Sequence, residues 1–110
     1  MLKNRMEAAR MVAQQLNVTE NAVDDAIISA ADLLRTLPQA RRTANVSPVV
    51  GQTAIALAAE AFDELQQARA KLVLAHEAFA DVRGQLGLTE RATGDMWKLA
   101  EERPDLRVVA

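Results

Sequence analysis

The chain has 110 residues, half of them apolar, and a formal net charge of −2. The length suits one domain, 1–110, and the interspersed acidic and basic residues argue against a nucleic-acid partner, which wants a concentrated basic surface. Cysteine is absent, which excludes disulfides, thiol catalysis and thiolate metal sites, and aromatic residues amount to 3%, so the expected core is Ala, Leu, Val and Ile packed helix on helix rather than a sheet.

Residues 4–16 read as a first helix. Met6, Ala9, Ala13 and Leu16 share one face, while Glu7, Arg10, Gln14 and Gln15 fall mostly elsewhere. Asn17-Val18-Thr19 reads as a break, with Thr19 capping a second helix over 20–37. Glu20, Asp24 and Asp25 suit the positive start of that helix. Its stripe is Val23, Ile27, Ala30, Leu34 and Leu37, widened by Ala26 and Leu33. Pro38 is expected to end it, because proline steers the preceding residue out of the helical region. Residues 38–47 then form a polar connection carrying Arg41-Arg42, and Ser47-Pro48 has the serine-then-proline form of a helix start.

The third helix, 48–85, dominates the chain. At about 1.5 Å per residue it would span about 57 Å. Two columns of residues repeat every seventh position along it. One reads Ala54, Ala61, Ala68, Ala75, Val82, and the other Ala58, Leu65, Leu72, Phe79, Leu86. They lie three and four residues apart, so they form one seam. Alternating small and large seam residues interdigitate well, and alanine lets a partner backbone come close. Leu72-Val73-Leu74-Ala75 is apolar all round, which implies burial on more than one side. Gly87 is the expected terminator, since glycine accepts the left-handed conformation of a C-terminal cap. Thr89-Glu90 starts a fourth helix, 89–102, with Ala92, Met96, Leu99 and Ala100 on one face, followed by a tail over 104–110. The expected fold is an all-α bundle of about four helices on one long spine, of about 35–38 residues, completed by dimerisation.

No chemistry-bearing constellation emerges. His76 is the single histidine. A phosphotransfer module centred on it is one reading. The plainer one is a seam-flanking residue in line with Ile55, Phe62, Arg69 and Arg83. A di-iron bundle needs Glu-x-x-His, and position 73 is valine. Glu60, Asp63, Glu64, Glu77 and Asp81 read as a solvated face rather than as ligands. There is no Gly-rich phosphate loop and no Ser/His/Asp set. Arg35 with Arg41-Arg42 makes a small basic spot, and Trp97 is expected to cover the end of the long helix.

The sequence therefore points to a non-catalytic structural or protein–protein interaction protein without cofactor or metal. It self-associates through the 48–86 helix as an antiparallel homodimer, with room for a further protein partner. The expected interface is Ala61, Glu64, Leu65, Ala68, Lys71, Leu72, Ala75 and Phe79. Glu64 and Lys71 share one flank, so an antiparallel pair with its axis near Gln67 and Ala68 sets each Glu64 beside the other copy's Lys71. The alternative is a protein coating a lipid or polymer inclusion with amphipathic helices. No apolar run reaches the length of a membrane span, and Met1-Leu2-Lys3-Asn4-Arg5-Met6 lacks the apolar stretch of a secretory signal, so the expected location is cytoplasmic.

Overall fold

A computed structural model describes residues 1–88, and these are all-α, with no strand among them. There are two long helices: α1, Leu2–Ala44, and α2, Gln52–Gln85. The expected fourth helix over 89–102, with Trp97, and the tail over 104–110 lie outside the described residues. None of the described helices is long and apolar enough to cross a membrane.

The break expected at Asn17-Val18-Thr19 does not occur. Those residues lie inside α1, so the helices read as 4–16 and 20–37 are one. The reason is phase. A line of buried and half-buried residues of α1 is spaced alternately by three and four, through Met6, Ala9, Ala13, Leu16, Glu20, Val23, Ile27, Ala30, Leu34, Leu37 and Arg41, with Asn17, Thr19, Asp24 and Ala26 half-buried beside it. Both expected stripes are segments of a single stripe joined at Glu20. Asn, Val and Thr each cost only a fraction of a kcal/mol in a helix interior, and packing along a continuous stripe overrides that.

Pro38 does not end the helix either, which continues for six more residues to Ala44. What ends it is Asn45, in the left-handed region at φ 56°. Its N–H donates to the Arg42 carbonyl at 3.1 Å, and the Val46 N–H donates to the Arg41 carbonyl at 3.3 Å. This is the Schellman arrangement, which satisfies two carbonyls left over at a helix end. Arg41 Nη1 also donates to the Val46 carbonyl at 3.2 Å.

Ser47-Pro48 starts a turn rather than α2. The Val49 N–H donates to Ser47 Oγ at 3.3 Å, and the Val50 N–H donates to the Ser47 carbonyl at 3.0 Å. Gly51 then takes φ 81°, a conformation no α-helix contains, so α2 begins at Gln52 and is 34 residues long. It runs unbroken through Gln66 and Gln67. Its end follows expectation: Gly87 sits at φ 75°, and the Leu88 N–H donates to the Arg83 carbonyl at 3.1 Å.

The described residues form two compact units, one of Met1–Glu20 with the stretch from Lys71, the other of Asn21–Ala70. In the first, Ala9, Ala13, Leu16 and Leu88 form the core, with Met6, Leu72, Ala80 and Leu86 packed against it. Ala13 is 1% exposed, and the small side chains at Ala9, Ala13 and Ala80 let the helix segments close on one another. The segments run antiparallel, since Arg5 Nη1 donates to the Leu86 carbonyl while Glu20 meets His76. In the second unit the inward residues are Val23, Ile27, Ala30, Leu34 and Leu37 from α1 and Ile55, Ala58, Phe62 and Leu65 from α2, all half-buried. No residue between Asn21 and Ala70 is fully buried.

Candidate interaction surface

The two expected columns of α2 have different fates. Ala58, Leu65, Leu72 and Leu86 are half-buried within the chain, whereas Ala54, Ala61, Ala68 and Val82 are exposed and only Ala75 of that column is half-buried. The second inward column is instead Ile55, Phe62, Arg69, His76 and Arg83, the line in which the plainer reading placed His76. Each column is seven-spaced, and which of the two flanks packs inside the chain depends on what α1 offers opposite it.

What α1 offers is acid. His76, 2% exposed, donates from Nδ1 to Glu20 Oε1 at 2.8 Å within the first unit. The carboxylate accepts, so the proton sits on Nδ1. In the second unit, Arg69 Nε donates to Asp24 Oδ1 at 2.7 Å, with the side chains 36% and 47% exposed. A buried polar group costs free energy unless hydrogen-bonded, and the Glu20 carboxylate offsets that cost for the imidazole. A phosphotransfer histidine must present a ring nitrogen to its donor. An enclosed ring tied to a carboxylate suits packing and alignment of the helices instead. Glu20 and Asp24 were read only as acids near a helix start. The signal that could have found Glu20 is its place in the stripe, four after Leu16 and three before Val23.

The expected interface residues divide accordingly. Leu65, Leu72 and Ala75 are half-buried, while Ala61, Glu64, Ala68 and Lys71 face outward. Phe79 is 38% exposed, and three further large apolar residues of α2 are exposed, Leu57 at 59%, Leu74 at 64% and Val82 at 41%. Leu57 was missed because it lies outside both columns. In the first unit an apolar groove of about 310 Å³ runs between the helices, lined by Val12, Gln15, Leu16, Thr19, Leu72, Ala75 and Phe79. A smaller one of about 130 Å³ adjoins it across Val12 and Phe79 and reaches Val82 and Leu86. Among the described residues no three His, Asp or Glu side chains gather as a metal site.

No family model, no curated protein and no solved structure matches this chain.

Proposed function

We propose that this chain is a non-catalytic, cytoplasmic protein–protein interaction module that self-associates through α2. The observation that carries the proposal is incomplete burial. Residues 21–70 hold a long apolar stripe on each helix, yet none of its side chains is fully buried. Two helix segments cover a shared stripe from one side only, and a stable layer needs apolar surface on the other. The outward side of α2 offers that surface, with Leu57, Ala61 and Ala68 exposed at helical spacing. Two copies would bring four long helices together, which completes a bundle with coiled-coil-like seams.

The test is a pair of charge exchanges read by sedimentation equilibrium. Glu64→Lys should weaken self-association, and adding Lys71→Glu should restore it. Each exposed pair contributes about 0.2–1 kcal/mol, so the charges select orientation while the apolar residues supply affinity. An unchanged association constant in both variants would remove α2 from the interface.

The inclusion-coating alternative draws on one observation, the exposed valines of the connection, Val49 at 81% and Val50 at 55%. Co-sedimentation with lipid vesicles, absent for a Val49→Ser, Val50→Ser variant, would favour it.

A further inference from the structure

The turn between α1 and α2 lies within the unit Asn21–Ala70, and every residue from Arg42 to Ala54 is exposed. Pro48 and Val49 hold the two central positions of the turn that the Val50 N–H closes on the Ser47 carbonyl at 3.0 Å. Val49 is 81% exposed, Val50 55% and Val46 38%. Single exposed apolar residues are ordinary, but three valines and a proline gathered at one apex make a patch.

The charges around this apex are of one sign. From Leu33 to Ala59 the chain carries Arg35, Arg41 and Arg42 and no acid. The bounding acids are Asp32, twelve residues before the end of α1, and Glu60, eight residues into α2. At about 1.5 Å per residue they lie about 18 Å and about 12 Å down the helices. Both distances exceed the screening length of about 10 Å at 0.1 M salt. Arg41 and Arg42 belong to the last turn of α1. Arg41 braces the apex through the Val46 carbonyl, and Arg42 is exposed.

The backbone of the apex is largely satisfied from within. The N–H groups of Asn45, Val46, Val50 and Gln52 donate to the carbonyls of Arg42, Arg41, Ser47 and Val49. The Val49 N–H donates to Ser47 Oγ, and Pro48 has no N–H to satisfy. A loop in water can leave such donors to solvent, whereas one that enters an apolar layer cannot.

We infer that this apex docks on an anionic phospholipid surface. Pro48 and the three valines sit at the boundary of headgroups and acyl chains, and Arg41 and Arg42 lie among the phosphates. Such a surface offers an apolar layer beneath a layer of negative charge, the order in which the apex presents valine and then arginine. The inference is independent of self-association through α2, and it gives the coating alternative a point of attachment.

Because the chain has no cysteine, an environment-sensitive dye can be attached at Val49→Cys and, as a control, at Ala70→Cys. Vesicles of phosphatidylcholine with phosphatidylserine should shift the Val49 emission to the blue and leave the Ala70 emission unchanged. Vesicles of phosphatidylcholine alone should bind far less. Read by co-sedimentation of the undyed chain, Arg42→Gln should weaken binding about fivefold, the weight of one cation at an anionic surface, and Val49→Asp should abolish it. Both side chains are exposed, so circular dichroism of each variant should match the parent. Equal shifts at Val49 and Ala70 would lay α2 flat on the surface and overturn the docking by the apex. Equal binding to both kinds of vesicle would remove the arginines from the contact and overturn it as well. So would the absence of any shift with vesicles, including the case where a DNA oligomer produces one. None of these outcomes depends on whether the chain is a monomer or a dimer, so this inference and the self-association fail separately.

Discussion

Replacing Glu20 with alanine removes the acceptor from a nearly enclosed imidazole. His76 is 2% exposed, and the Glu20 side chain that meets its Nδ1 at 2.8 Å is 18% exposed. The carboxylate reaches the edge of the unit, so its own desolvation is modest, and the main cost of the substitution is the buried N–H left behind. Such a group costs about 1–3 kcal/mol. For a chain of this size that corresponds to a fall in Tm of roughly 5–20 °C. Glu20→Gln keeps an acceptor and should lose less. Changing both residues, Glu20→Leu with His76→Leu, removes the buried polar atoms together and should recover most of the loss, since apolar replacement of a buried pair is often neutral or stabilising. The assay is urea unfolding followed by circular dichroism, with Glu60→Ala on the outer side of α2 as the reference. Glu20→Ala costing no more than the reference, within about 0.5 kcal/mol, would refute the role assigned to the pair. So would a double variant no more stable than Glu20→Ala.

Three other perturbations test separate parts of the account. Gly87→Ala should cost about 1–2 kcal/mol by thermal unfolding, from backbone alone, because φ is 75° and nothing lies within 4 Å of the added Cβ. Pro38→Ala should raise stability by at most about 3 kcal/mol, since it restores an N–H inside α1 and relieves the clash with the carbonyl four residues back; a loss of helix on circular dichroism would contradict this. Ala68→Leu should leave the fold of a single chain nearly unchanged because Ala68 is exposed, yet overpack the close approach at the axis by about 1–3 kcal/mol, weakening self-association roughly 5- to 150-fold. Equal association constants for this variant and the parent would put Ala68 outside the contact.

The residues made some of this legible and concealed the rest for physical reasons. The helical class followed from period and composition, and the end of α2 from Gly87, because few residues other than glycine take φ near 75°. The stop of α1 was missed because asparagine can take the same conformation, and Asn45 competed with the stronger signal of Pro38. The false break at 17–19 arose because Asn and Thr serve both as caps and, at small cost, as interior residues; only the conserved phase between Leu16 and Val23 decides between them. Gly51 falls in the first turn of the helix that Ser47-Pro48 was expected to begin, whereas its positive φ separates a turn from α2. On α2 the apolar alanine column drew attention away from Arg69, His76 and Arg83. Those side chains occupy an inward column because Glu20 and Asp24 on α1 accept hydrogen bonds from two of them. A pairing across 45 or 56 residues of sequence leaves no local trace.

The central claim is that the outward side of α2 is covered by another copy of this chain. Light scattering on the unmodified protein at micromolar concentration measures that directly. The account predicts a mass of two chains that falls toward one on dilution, while a mass of one chain at every concentration would contradict it.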